Sequence, residues 1–214
     1  MFEEFVKNVK GFLMSPVEAF KQAGNKSLGA AYQYYAVLLI IFTVLYGIVT
    51  LAVGAFLFNG YVQQLSMVPL IGKILSAQLA KFGAFVTVAE LFYVYMVFLA
   101  LLFGIFLVGL ILHAFVILMD GKKGVRETIK TAMYASTPGL LLGWIPFICI
   151  IGWVWSFVLL ILGFRDNNGL SFEKAVLVAV IPVVLGLIML VLGIAVVSTF
   201  AAAFVSLLPK SLSG

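Results

Sequence analysis

Long apolar runs separated by short polar punctuation dominate this chain, and they set its architecture. Tyr32–Phe58 holds no charged side chain, Leu91–Met119 holds only His113 among groups that titrate near neutral pH, and Ala175–Leu208 is again uncharged. At about 1.5 Å of rise per residue, a helix over any of these runs crosses a hydrocarbon core of about 30 Å. Pro146–Phe164 predicts a further span, closed by the polar run Arg165-Asp166-Asn167-Asn168-Gly169. Val125–Gly143 begins amphipathic with Arg126, Glu127 and Lys130, ends apolar, and contains Pro138. Only about 15 of its residues could lie in hydrocarbon, short for a crossing. Counted as the third of five spans, it would turn into the fourth through Gly143-Trp144-Ile145-Pro146.

The remaining pattern is amphipathic or broken. Phe2, Phe5, Val6, Val9, Phe12 and Leu13 fall on one helical face, with Glu3, Glu4, Lys7, Asn8 and Lys10 opposite. This spacing predicts a helix lying along the membrane interface. Ser15-Pro16-Val17-Glu18 reads as a capping box with proline at the first helical position, opening a short helix that ends at Gly24. Asn59-Gly60 is a turn signal. Residues 61–82 are mixed, with Lys73, Ser76 and Lys81 interrupting apolar positions, and Pro69–Phe82 reads as an interfacial or partly re-entrant helix. Ser171 can cap the last helix, which runs to about Leu208. The expected organisation is an amphipathic N-terminal segment (1–31), an all-α membrane domain of about five spans (32–208) and a short tail (209–214).

Composition agrees. Of 214 residues, 64% are hydrophobic and 10% charged, against about 25% charged in ordinary soluble domains. The net charge of +5 would suggest nucleic acid for a soluble chain. Here it fits the lysine and arginine excess of cytoplasmic loops, and no nucleic-acid partner is expected. With five spans and the N-terminus inside, Lys7, Lys10, Lys21, Lys26, Lys122, Lys123, Arg126, Lys130, Arg165 and Lys174 are cytoplasmic. Lys73, Lys81 and Lys210 fall outside, so the bias predicts a cytoplasmic N-terminus and an external C-terminus. Cys149 is the only cysteine, which excludes an internal disulfide and a thiolate metal cluster. Stripes of small residues, Ala132, Ser136, Gly139 and Gly143, then Gly152, Ser156 and Gly163, then Ala175, Ala179, Pro182, Gly186 and Gly193, suit close helix packing within the chain or at a homo-oligomer seam.

From His113 near a span end, through Asp120-Gly121-Lys122-Lys123-Gly124, Ala135-Ser136-Thr137-Pro138, Trp144-Ile145-Pro146 and Gly163, to Ser171 through Ala175 and Pro182, the sequence resembles the Yip1 domain family. Phe12, Ser15-Pro16 and Phe20 resemble the start of its prokaryotic members. The resemblance covers about Phe12 to Pro182 and implies a multi-span helical fold in an archaeal or bacterial plasma membrane. Eukaryotic relatives bind prenylated Rab-type GTPases in traffic between endoplasmic reticulum and Golgi. They carry a long cytosolic N-terminal region and an acidic-Tyr-Gly-Pro type motif that this sequence lacks, so Rab binding is not carried over.

The candidate chemistry is sparse. His113 and Asp120 share a helical face near the cytoplasmic end of the second span, and Arg165 and Asp166 end the fourth at the same expected depth. They form a candidate polar cluster, either a clamp on helix ends or a ligand or proton site. Glu90, at the outer end of the second span, is a candidate ion contact, with Lys73 or Lys81 as partners. Pro138, Pro146 and Pro182 are helix-break positions that can free carbonyls, a feature of transport sites and of ordinary membrane helices. His-Glu-x-x-His, Gly-x-Ser-x-Gly and phosphate-loop patterns are missing, so no catalytic residue, metal or cofactor is expected. The reading is a non-enzymatic scaffold for membrane organisation or for a membrane-associated protein partner. A small-ion or small-solute conduit is the alternative.

Overall fold

The computed structural model describes residues 2–69 and 71–207, and the expected tail lies outside them. The described residues are helical almost throughout: α1 Phe2–Met14, α2 Pro16–Gly24, α3 Leu28–Ser66, α4 Gly72–Ala80, α5 Gly83–Leu118, α6 Val125–Ala135, α7 Thr137–Leu142, α8 Cys149–Asn168 and α9 Phe172–Leu207. Among them α3, α5, α8 and α9 are long and apolar enough to cross a membrane. The protein is an all-helical, polytopic membrane protein.

α3 and α5 form an antiparallel hairpin, each more than 50 Å long at helical rise. In α3, Ala31, Tyr34, Tyr35, Leu38, Leu39 and Phe42 are buried at helical spacing, and beyond Gly47 no residue of α3 is buried. The expected turn at Asn59-Gly60 is not made. α3 runs through it to Ser66, and the chain turns from Met67 instead. Asn and Gly each cost up to about 1 kcal/mol inside a helix, less than it costs to break one that α4 packs against. The expected interfacial segment 69–82 supplies α4, a short helix between the two arms.

The expected third span is the main departure. It is two short helices broken at Ser136, and the eight residues Thr128–Ala135 are all buried. Pro138 causes the break. Its missing N–H leaves the Tyr134 carbonyl unbonded in the helical ladder, and the Thr137 hydroxyl donates to that oxygen at 2.6 Å. α6 and α7 pack against α8 along their length. A Cβ on Gly139 would lie 2.8 Å from the Trp153 ring, one on Gly152 2.8 Å from the Pro138 carbonyl oxygen, and one on Gly163 2.5 Å from the Thr131 methyl. The first two stripes of small residues are therefore seams within the chain. The third divides: Ala175 and Ala179 are buried, whereas Gly186 and Gly193 face open space.

This geometry fixes relative directions. The Lys122 N–H donates to the Asn168 carbonyl at 3.3 Å, so the α6–α8 hairpin leaves and returns at the same end of the bundle. Its apolar tip, Trp144–Ile148, reaches only part-way along α3, since Gly143 lies against the Phe42 ring. α9 starts at that same end and is exposed from Val183 to Phe200. α3 and α9 thus point the same way, whether the hairpin crosses the bilayer fully or returns from within it.

The N-terminal helix is amphipathic, and Phe5, Val9 and Phe12 of its apolar face pack on the protein core. Phe12 is 1% exposed, stacked on Tyr134 at 4.9 Å and edge-on to Phe20 at 5.0 Å. Phe5 lies 5.5 Å from the Tyr34 ring. Aromatic pairs of this kind add about 0.5–1.5 kcal/mol beyond their buried area, which favours docking over lying free along headgroups. Pro16 opens α2 as expected, but Ser15 makes no side-chain cap. The Lys174 N–H does reach the Ser171 hydroxyl, at 3.4 Å.

Candidate functional site

The polar residues gather at the end of the bundle where α1, α2, α6 and the turn from α8 to α9 meet. His113 Nδ1 lies 3.0 Å from the Thr128 hydroxyl, and the Asn168 amide donates to the same hydroxyl at 2.9 Å. Thr128 and Asn168 are fully buried. Three helices, α5, α6 and α8, are thereby joined through one oxygen.

The other expected members of that cluster are held elsewhere. Asp120 accepts from Lys174 at 2.8 Å, and Arg165 is paired with its neighbour Asp166 at 2.7 Å. The structure does not bring His113, Asp120 and Arg165 together. Asp120 sits at a left-handed residue (φ 61°), where Gly121 N–H bonds back to the Val116 carbonyl at 2.8 Å and closes α5. A Cβ on Gly121 would clash with the Val116 side chain, so the Asp-Gly pair serves this helix stop. We expect Asp120→Asn and Arg165→Gln to act additively in a double-mutant cycle of thermal stability. A clear coupling between them would contradict the separation.

Lys174 holds the Asp120 carboxyl, and Lys26 the Glu4 carboxyl, below the usual carboxylate range by hydrogen bond and charge. Each contributes its stability above the ordinary carboxylate pKa and loses it as pH falls through the lowered value. Both pairs are therefore fully formed at neutral pH and open only in acid. Circular dichroism of the K174A variant should match wild type under acid conditions and diverge above them.

Sequence reasoning missed the centre of this end. Lys130, expected among the cytoplasmic charges of an amphipathic helix start, is 3% exposed. Its ammonium donates to the carbonyls of Gly24 at 3.1 Å and Lys26 at 2.8 Å and pairs with Glu127 at 2.9 Å. Three acceptors match its three N–H donors, and two of them are carbonyls at the C-terminal end of α2, where a cation is favoured. Lys26 in turn bonds Glu4 at 2.8 Å and Asn8 at 3.1 Å. One chain of contacts thus runs from α6 through the turn after α2 to α1. The sequence clue was the placement of Lys130 among Thr128, Ile129, Thr131 and Ala132, at the apolar end of the charged stretch from Lys122.

Pro146 lies in the hairpin tip and Pro182 inside α9. Glu90 stands apart at the far end of the α3–α5 hairpin. It lines a cavity of about 250 Å³ with Gly54, Phe58, Asn59, Gly83 and Thr87 among its walls, and no ion pair reaches it among the described residues.

An all-helical bundle with four long apolar helices and a buried, proline-broken helix at its centre defines a polytopic membrane protein whose polar groups are concentrated at one end. The model of the Yip1 domain matches residues 10–193. The chain belongs to the Yip1 domain family. Comparison with curated proteins and with solved structures gave no match.

Proposed function

We propose that this Yip1 family protein is a non-enzymatic scaffold, and that its polar end is a platform for a membrane-associated protein partner. One observation carries the reading: Lys130 spends its three ammonium donors on the Gly24 and Lys26 carbonyls and Glu127, and His113, Thr128 and the Asn168 amide nitrogen are bonded to one another. Such contacts hold helices in fixed positions and leave an outer surface with Lys7, Lys10, Lys21, Lys122, Lys123 and Arg126 exposed. A photo-crosslinker at Lys123 should capture a discrete partner in native membranes, and proteoliposomes should show no proton or potassium flux above protein-free vesicles. Flux that falls on Glu90→Gln or His113→Ala would favour the alternative of a small-ion or small-solute conduit. The cavity at Glu90 is what speaks for that alternative.

We place the polar end in the cytoplasm of a prokaryotic plasma membrane, on the lysine and arginine bias. In a Cys149→Ala background, cysteines at Lys123 and Glu173 should label from the cytoplasm and one at Ser211 from outside. Because the hairpin returns to its starting end, this holds for three complete crossings or five. Cytoplasmic labelling at 211 would contradict the placement.

A further inference from the structure

We propose that the cavity around Glu90 binds a primary ammonium group, an inference that goes beyond the scaffold reading and stands independently of it. The site is built where α3 and α5 approach one another. A Cβ on Gly54 would fall within bonding distance of the Glu90 carboxylate, so the carboxylate lies against α3 only because residue 54 has no side chain. The residue is half-buried between the two helices. Lys73 on α4 and Lys81 just after it, the expected partners, are exposed and make no ion pair with it among the described residues.

The walls supply what a primary ammonium needs. Such a group has three donors and no acceptor. Glu90 offers a carboxylate. The Thr87 hydroxyl spends its hydrogen on the Gly83 carbonyl at 3.1 Å, which leaves its oxygen free to accept. Asn59, also in the lining, can offer its amide oxygen. Phe58, packed over Gly83, adds an aromatic wall that favours a cation. A divalent metal ion is a poor match, because Glu90 is the single carboxylate of the lining and such ions take several oxygen ligands. A quaternary ammonium cannot donate to these acceptors. The volume of about 250 Å³ admits a headgroup-sized fragment, below the range of drug-sized pockets.

Position supports the same ligand. Gly54 lies about 40 Å along the helix axis from the polar end at Leu28, farther than the hydrocarbon core is thick. The cavity therefore falls at headgroup level on the opposite face. The ammonium could come from an ethanolamine lipid or from a free amine.

The full chain in phosphatidylcholine nanodiscs separates these sources. Thermal midpoints would be read with added ethanolamine, with choline, and with phosphatidylethanolamine in the disc, for wild type, Glu90→Gln and Thr87→Val. A rise on the order of 5 °C is expected for wild type at a hundredfold excess over Kd, absent in Glu90→Gln and reduced in Thr87→Val. A rise with free ethanolamine assigns a soluble amine, and a rise only with the lipid assigns its headgroup. No rise in wild type, an equal rise in Glu90→Gln, or an equal rise with choline would overturn the proposal. If Glu90→Gln does not fold, an undiminished rise in Thr87→Val does so.

Discussion

Lys130→Met is expected to destabilise the protein by about 3 kcal/mol, because it strands buried acceptors. Methionine fills most of the volume but donates nothing to the Gly24 and Lys26 carbonyls, and it leaves Glu127 without its cation. Were Lys130 a solvated lysine, as the amphipathic start of Val125–Gly143 suggests, the change would be nearly silent, since exposed ion pairs are worth about 0–1 kcal/mol. Differential scanning fluorimetry in detergent separates the outcomes: a fall in midpoint of roughly 6–12 °C or almost none. The loss should also be local, with protease access at Asn25–Ser27 rising before the rest of the bundle opens.

Phe12→Ala tests the same docking through apolar packing. Phe12 is buried among Phe20, Tyr34 and Tyr134, and truncating such a ring costs about 3–5 kcal/mol. An interfacial helix with its apolar face in lipid would lose far less bundle stability, because its phenylalanine would touch no core. Phe12→Leu should recover a good part of the loss. The two variants should couple, since both cut the attachment of α1 and α2 to α6, and coupling of about 0.5–3 kcal/mol is the range for shared contacts.

These variants mark where sequence reading stops. Charge-free runs long enough to span are unambiguous, so α3, α5, α8 and α9 were all legible. The segment Val125–Gly143 was not, because periodicity reports polarity and α6 buries polar residues. Thr128, Lys130 and Thr131 are each satisfied by a partner distant in sequence, and no local pattern announces such pairing. Asn59-Gly60 misled for a related reason: a turn signal states a local preference, and packing of α4 on α3 overrode it. His113, Asp120 and Asp166 all lie near the polar end, but depth along a helix does not say which side chains meet. Asp120 faces Lys174, and Arg165 faces Asp166, where a single cluster was expected. Gly54 and Glu90 are distant in sequence, so the cavity between them was invisible beyond the lone carboxylate.

The central claim is that α1, α2 and α6 form one rigid platform at the polar end. Hydrogen–deuterium exchange of the full chain in nanodiscs measures it directly. The account predicts that the amides of α1 and α2 are protected alongside those of α6, and that Lys130→Met releases α1 and α2 together while the α3–α5 hairpin stays protected. Rapid exchange of α1 and α2 in the wild type, or protection that Lys130→Met leaves unchanged, would contradict it.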